Sequence, residues 1–372
     1  MAEALRIQPD LDFVRAIRES GGDTVKSCMQ CANCSVACEL SPDDHPFPRK
    51  EMLLAQWGQK EELLHDPDIW LCFGCTDCSI HCPRGARPGD VLAAVRKEAI
   101  RRFSPFGFIQ TWLSSPKYLP LLIVLPILIW GLIYLLFANP DGRVSYFDGI
   151  FPPGILEPVL GGMTMLGSLF FAIGAVRYWK ALLSHHPVPQ GAKFVPAVID
   201  TVKDIISHKS FRKCEVGGAR ALGHMSMFFG FAIILLGGTV VGMGFMFHVI
   251  ELPLEANGGI WIGFKILLNV GAIMLIAGSA VLLWYRWSRP ARQTTGSYFD
   301  WFLLVALLGT GVTGLLTELA RWFTPQGVAF AVYFIHLIFV FCLLGYAPWS
   351  KIAHFVYRSV ALVFTRYVGR TV

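Results

Sequence analysis

The chain has 372 residues, with a hydrophobic fraction of 54%, a charged fraction of 16% and a formal net charge of +6. So much apolar sequence with so little charge excludes an ordinary soluble domain for the chain as a whole and is typical of membrane proteins. The positive charge requires no nucleic-acid partner, because the lysines and arginines that flank apolar segments account for it.

Residues 1–105 are mixed and charged, and their clearest feature is a pair of cysteine runs that share the spacing C-x2-C-x2-C-x3-C. The runs consist of Cys28, Cys31, Cys34 and Cys38, and of Cys72, Cys75, Cys78 and Cys82. Three thiolates from one tight loop, with a fourth from a distant segment, suit a cubane [4Fe–4S] cluster, and in two-cluster proteins the fourth cysteine of each run crosses to the other cluster. The spacing therefore predicts one cluster on Cys28, Cys31, Cys34 and Cys82, and a second on Cys72, Cys75, Cys78 and Cys38.

Two other uses of these cysteines fit the spacing less well. Zinc sites usually take pairs of C-x2-C and need no third cysteine in the run. Disulfides are rare in reducing compartments, and nothing that resembles a secretory signal precedes Cys28. Pro83 follows the second run, as is common next to such clusters, whereas Glu39 follows the first. Because that proline shapes the turn and is not a ligand, cluster binding remains the favoured interpretation.

Residues 106–372 are predicted to form a membrane domain. A membrane-spanning helix needs about 20 predominantly apolar residues, and prolines such as Pro120 and Pro126 do not prevent one. Six segments meet this requirement, near 119–138, 158–179, 221–248, 259–285, 300–320 and 328–347. The sequence thus predicts a mostly α-helical protein, in which an α-helical, ferredoxin-like domain for two clusters precedes a six-helix transmembrane bundle.

Basic residues are unevenly distributed among the connections between these spans. They are concentrated before the first span, between the second and third, between the fourth and fifth, and after the sixth, whereas the other connections carry acids such as Asp141 and Glu251. Positively charged connections face the cytoplasm. We therefore expect a multi-pass protein of the cytoplasmic membrane, with both termini and the cysteine domain on the cytoplasmic side.

Four histidines lie in or at the ends of the predicted spans. They are His224, His248, His336 and His354. Ionisable side chains in membrane helices are rare and suggest function by default, and beside iron–sulfur clusters the natural function is axial ligation of haem. The 18 residues between His336 and His354 cover about 27 Å of continuous helix, so His354 pairs in depth with His224 near the cytoplasm, and His336 with His248 near the outer face.

This arrangement predicts a cytochrome b bundle with two bis-histidine b haems. The alternative for each of the four is an interfacial hydrogen-bonding role without a ligand. The remaining histidines, on the cytoplasmic side, are interpreted as solvated or structural: His45, His65, His81, His185, His186 and His208.

One lysine, Lys265, lies inside the fourth predicted span, about one turn from its outer end. It has two interpretations: its ammonium group extends to the lipid headgroups, or it donates a hydrogen bond to a quinone carbonyl beside the outer haem. Glu318 and Arg321, at the outer end of the fifth span, are candidates to pair with each other.

The N-terminal part resembles the C subunits of heterodisulfide reductases over roughly residues 10–100. The resemblance rests on the paired cysteine runs, on Pro48-Arg49-Lys50 leading into a helix, and on Ile69-Trp70-Leu71 directly before Cys72. It implies an iron–sulfur subunit that works with other redox subunits.

The membrane part resembles the cytochrome b (gamma) subunits of respiratory nitrate reductases. It shares the 18-residue histidine spacing and the ending Pro348-Trp349-Ser350-Lys351-Ile352-Ala353-His354. The resemblance implies that His354 and His224 ligate the haem nearer the cytoplasm, that His336 ligates the outer one, and that Lys265 lies close to that family's quinone-site lysine. The chain departs from the family at Ile234, where a second outer ligand is expected. His248 is the remaining histidine at a suitable depth.

A chain that joins these two modules in this order resembles the family of C subunits of the quinone-interacting membrane-bound oxidoreductases of sulfate reducers. The resemblance implies electron exchange between menaquinone and flavin-containing heterodisulfide reductase A-like subunits, which in turn serve adenylylsulfate reductase. We expect quinol oxidation in this chain and bond-making catalysis on other subunits.

Three other functions compete with this one. A membrane subunit of a heterodisulfide reductase or sulfite-reductase-linked complex would use the same cofactors with another soluble partner. A haem and iron–sulfur redox sensor would need an effector domain, and only 18 residues follow His354. An ion transporter would need acidic residues in mid-membrane, which the predicted spans lack.

Overall fold

The computed structural model describes residues 8–138, 147, 150–208, 218–247, 249, 258–288 and 296–370. Within these ranges the chain is mostly helical and contains no strand, as the sequence predicts. The helices of the N-terminal part are α1 (Leu11–Ile17), α2 (Asn33–Val36), α3 (Arg49–Gln56), α4 (Lys60–Leu64), α5 (Asp68–Leu71), α6 (Asp77–Ile80) and α7 (Pro88–Phe103). Those of the second part are α8 (Phe108–Ser114), α9 (Leu119–Phe137), α10 (Pro153–His185), α11 (Phe194–Ser207), α12 (Gly218–Met246), α13 (Gly258–Trp287), α14 (Tyr298–Phe323), α15 (Gln326–Leu344) and α16 (Ala353–Tyr367).

Six helical segments are long and apolar enough to span a membrane, as predicted. They cover Pro116–Phe137, Gly154–His185, Gly218–Gly244, Trp261–Trp287, Tyr298–Phe323 and Gln326–Leu344. The first continues through Pro126 without ending. The side of the membrane on which the termini lie stays a prediction.

α7 is the central helix of the cysteine domain, and its sequence suits both of its ends. Pro88 lies in the first turn, where a missing backbone N–H does no harm, and Asp90 follows it. Arg101 and Arg102 lie in the last turn, where positive charge opposes the helix dipole. The face that includes Val95 is fully buried.

One hydrophobic core joins the cysteine domain to the bundle. It runs from Ile17 in α1, through Trp70 in α5, to Phe364 in α16. The Trp70 ring stacks on Tyr357 of α16 with 5.4 Å between centroids, and it meets Tyr178 of α10 edge-on at 6.4 Å. The predicted domain boundary at residue 105 therefore lies beside a packed contact rather than in an open linker.

A cluster of buried charges lies at the same junction. The Lys50 ammonium is 2.7 Å from Asp66, 3.1 Å from Asp68 and 3.5 Å from Glu51, and Arg370 reaches Asp68 at 2.6 Å. Burial, followed by the charge of Asp66, raises the pKa of Glu51 to about 8. Burial therefore favours the protonated form of Glu51. Lys50 occupies the space between the carboxylates that a cation would need.

Candidate functional site

Both cysteine runs fold into the same local structure. In each run the second residue after the first cysteine is left-handed, with φ 60° at Gln30 and 63° at Gly74. The residue after the second cysteine is left-handed as well, with φ 68° at Ala32 and 81° at Thr76. Left-handed backbone is rare at residues with a side chain and often marks a functional loop. Repeated reversals of this kind fold three cysteines into one tight loop.

The two loops come together and exchange their fourth cysteines. One small cavity is lined by Cys28, Cys31, Cys34 and Cys82. A second is lined by Cys72, Cys75, Cys78 and Cys38. We call these sets the Cys28 quartet and the Cys72 quartet. They are the two sets that the spacing predicts, and no disulfide joins any of the described cysteines.

The buried thiols of the quartets need a compensating cation in order to ionise. Burial is the main cause that raises the pKa of Cys34 to about 11 and that of Cys38 to about 12. Burial and the neighbouring thiols Cys72 and Cys75 also raise the pKa of Cys78. Buried thiols of this kind do not ionise together in an apolar cavity unless a metal compensates their charge, and metal binding deprotonates thiols outright. Four converging sulfur atoms of this kind fit a [4Fe–4S] cluster.

Each quartet also has a hydrogen bond to its first sulfur atom. Gln30 Nε2 donates to Cys28 Sγ at 3.4 Å, and the backbone N–H of Gly74 donates to Cys72 Sγ at 3.3 Å. Hydrogen bonds to cluster sulfurs are among the features that set a reduction potential.

Two of the predicted haem ligands, His224 and His354, lie on neighbouring elements. His224 is in the second turn of α12, and His354 is the second residue of α16. Phe228 and Phe355 follow them on the two helices and are in contact, with 6.0 Å between ring centroids. His354 Nδ1–H donates to the carbonyl of Lys351. This bond fixes the ring and leaves Nε2 to bind a metal, as is usual for metal-ligating histidines.

His208 is predicted from the sequence to be a solvated or structural histidine. It is buried at the end of α11 with a left-handed backbone, φ 49°. Its ring lies 5.6 Å from that of His224 and 5.2 Å from that of Phe228. No sequence spacing relates His208 to His224, so only the packing of α11 against the bundle reveals this neighbour.

The predicted outer ligands are only partly described. His336 lies in α15, and its Nδ1 is 3.0 Å from Thr313 Oγ1 of α14, which again leaves Nε2 for a metal. A Cβ added to Gly314 would come within 3.1 Å of the His336 ring, so the glycine makes room for it. His248 lies outside the described residues. Ile234 packs in an apolar cluster with Leu275, as expected for a residue that is not a ligand.

Lys265 has a specific partner. Its ammonium lies 2.8 Å from a carboxylate oxygen of Glu318, and this pair joins α13 to α14. Both side chains are partly exposed. The sequence suggests Arg321 as the partner of Glu318, and lipid headgroups or a quinone as the partner of Lys265. The pairing of Lys265 with Glu318 was missed because their separation along the chain carries no signal.

A comparison with protein families matches residues 24–86 to the 4Fe-4S dicluster domain. This segment contains both quartets. The N-terminal part is also similar to the C subunits of heterodisulfide reductases. The C subunit of the H(2):CoB-CoM heterodisulfide,ferredoxin reductase of Methanothermobacter marburgensis is 33% identical over 92 residues, which are 25% of this chain and 50% of that protein.

Two further relatives give the same result. A protein of Archaeoglobus profundus that is named as similar to the heterodisulfide reductase C subunits is 32% identical over 98 residues, 26% of this chain and 52% of that protein. The C subunit of the ferredoxin:CoB-CoM heterodisulfide reductase of Methanosarcina mazei is 30% identical over 91 residues, 24% of this chain and 55% of that protein. The chain thus spans about half the length of the curated relatives it matches. No solved structure matches the chain.

The chain therefore combines a 4Fe–4S domain related to the C subunits of heterodisulfide reductases with six helices apolar enough to span a membrane. This combination is that of a membrane electron-transfer subunit.

Proposed function

We propose that this chain exchanges electrons between the menaquinone pool and soluble partner subunits on the cytoplasmic side of the membrane. The observation that carries the proposal is the presence, in one chain, of two crossed cysteine quartets and six helices long enough to cross a bilayer. By the resemblance to quinone-interacting oxidoreductases, the partners are flavin-containing heterodisulfide reductase A-like subunits and the final acceptor is adenylylsulfate reductase.

In this proposal each quartet holds one [4Fe–4S] cluster. Cys28, Cys31, Cys34 and Cys82 hold the first, and Cys72, Cys75, Cys78 and Cys38 hold the second. The left-handed residues of each loop direct three sulfur atoms to one point, and the crossing cysteine closes the site. The high pKa values of the buried thiols are overcome by the charge of the bound iron.

Four histidines hold two b haems in the same proposal. His224 and His354 take the haem nearer the cytoplasm, and His336 and His248 take the outer one. The hydrogen bonds at Nδ1 of His354 and His336 support the ligand role, because a bond at one ring nitrogen orients the other. When bound, each haem and cluster carries one electron, so the two electrons of a quinol can leave singly.

The quinol site of the proposal lies at Lys265. Lys265 donates a hydrogen bond to a quinone oxygen, and Glu318 holds the lysine in place from the next helix. Oxidation of a quinol releases two electrons and two protons. The carboxylate of Glu318, 2.8 Å from the Lys265 ammonium, accepts one of these protons through Lys265, and the other passes to water, to which both side chains are partly exposed.

The proposal is tested by replacing Lys265 with methionine and measuring the rate at which a menaquinol analogue reduces the bound haem. We expect slower haem reduction with unchanged haem content, since Lys265 is not a ligand. Lys203→Met is the matched control, because Lys203 is largely exposed on α11. A quinol-driven rate in Lys265→Met equal to that of the control would contradict a quinone site at Lys265.

The names of the relatives favour one alternative. The similar proteins are C subunits of heterodisulfide reductases, and a membrane subunit of a heterodisulfide or sulfite-reductase-linked complex would use the same residues. The soluble subunits that co-purify with the chain discriminate between the two. Flavin subunits together with adenylylsulfate reductase support the main proposal, and a catalytic heterodisulfide or sulfite reductase supports the alternative.

A further inference from the structure

We propose that the two cluster sites have different positions: the Cys72 quartet faces the membrane bundle, and the Cys28 quartet faces the soluble partner. Two arginines of the membrane helices, Arg220 and Arg358, are the residues that fix the first of these positions. This inference rests on the proposed function, since it assigns the entry and exit ends of its electron path.

Arg358 connects α16 to the loop of the Cys72 quartet. It lies one helical turn after His354, and its Nη1 donates to the carbonyls of Trp70, Leu71 and Cys72 at 2.5, 3.2 and 3.4 Å. Its guanidinium carbon also lies 3.8 Å from the centroid of the Phe73 ring. A single side chain from the histidine-bearing helix therefore holds the backbone on both sides of Cys72.

Arg220 makes the corresponding connection from α12. It lies one turn before His224, and its Nη2 donates to the carbonyl of Phe73 at 2.6 Å. A side chain added at Gly74 would approach the same guanidinium to 3.8 Å. The helices that carry the inner pair of histidines are thus both bonded to the segment 70–74.

Apolar contacts reinforce these hydrogen bonds. Leu71 and Cys72 pack in one small cluster with Leu362 of α16, and Trp70 stacks on Tyr357 of the same helix. Cys75 and Cys78 are buried. The Cys72 quartet is therefore enclosed at the junction with the bundle.

The loop of the Cys28 quartet is more exposed than that of the Cys72 quartet. The internal repeat makes Met29 the equivalent of Phe73, but Met29 is 64% exposed whereas Phe73 is covered by Arg358. Cys31 is exposed whereas its equivalent Cys75 is buried, and the Arg84 side chain, which lines the Cys28 cavity, is exposed as well. Electron exchange with a soluble protein needs such an accessible site, because transfer requires close approach of the partner.

The surroundings of the Cys28 quartet supply a matched control residue. Arg49 lines the Cys28 cavity, and its Nε donates to the carbonyl of Gln30 at 3.1 Å. Its place beside the Cys28 quartet corresponds to that of Arg220 and Arg358 beside the Cys72 quartet. Removal of either charge should lower the reduction potential of the adjacent cluster, because a positive charge stabilises the reduced, more negative state.

The test is an EPR-monitored redox titration of the full-length chain in detergent, with Arg358→Gln and Arg49→Gln compared. We expect Arg358→Gln to lower the midpoint potential of one cluster and Arg49→Gln to lower that of the other. A water-soluble dysprosium chelate should then speed the spin relaxation of the Arg49-responsive signal more than that of the Arg358-responsive signal. Arg220→Gln is the second variant, and it should shift the same cluster as Arg358→Gln.

Two results would overturn the inference. One is a greater effect of the chelate on the Arg358-responsive cluster, and the other is a shift of the same cluster in Arg358→Gln and Arg49→Gln. The cluster signals in this titration do not depend on haem binding. A preparation without haem would therefore contradict the proposed function while the order of the two quartets could still be determined.

Discussion

Replacement of Trp70 by alanine should destabilise the cysteine domain and its contact with the membrane helices, and so lower the urea midpoint. Trp70 is 1% exposed and lies two residues before Cys72, between Tyr357 and Tyr178. Truncation of a buried tryptophan to alanine typically lowers the free energy of unfolding by about 3–5 kcal/mol. The two aromatic contacts account for roughly 1–3 kcal/mol of this loss, at about 0.5–1.5 kcal/mol each. Since domains are stable by only about 5–15 kcal/mol, the loss is a large fraction of the total.

The assay is pulse proteolysis across a urea gradient, with cleavage in the cysteine domain as the readout. Trp57→Ala is the control, because Trp57 belongs to the same domain but is 50% exposed. Such a surface change should alter the free energy of unfolding by about 0.5 kcal/mol or less. Equal urea midpoints for Trp70→Ala and Trp57→Ala would refute the conclusion that the Trp70 contact holds the two parts together.

Two further predictions concern pH. Burial raises the pKa of Glu51 from 4.5 to about 8, so the native state loses stability as pH rises through this range. Glu51→Gln should therefore be more stable than the wild type at pH 9 and similar to it at pH 5. Equal denaturation midpoints of the two proteins at pH 9 would contradict this. Burial, followed by the charge of His185, lowers the pKa of His65, so the native state loses stability as pH falls below 6.5. In denaturation measured between pH 7.5 and 5.5, His65→Gln should weaken this dependence of stability on pH. The control variant His81→Gln, at an exposed histidine, should leave the dependence unchanged.

The cysteine sites illustrate what sequence can predict. The ligands of each quartet come largely from one loop, so their spacing determines which sulfur atoms meet, and the crossing of Cys38 and Cys82 follows from the geometry of two such loops. The membrane helices are predicted equally well from the sequence, because a run of about 20 apolar residues is characteristic of a membrane span. Both signals are local.

The contacts that orient these parts are not local. Arg358 bonds to Trp70 across 288 residues, and Lys265 pairs with Glu318 on another helix. No spacing rule relates such residues, since their contact depends on how separate helices pack. His208 beside His224 is a third case, which the sequence suggested only as a solvated or structural histidine.

The central claim is that two cysteine quartets and four membrane histidines bind redox cofactors in one chain. The most direct measurement is a redox titration of the purified, full-length protein followed by optical and EPR spectroscopy. The account predicts the signals of two [4Fe–4S] clusters and of two low-spin b haems. A colourless preparation with zinc in the cysteine sites would contradict it.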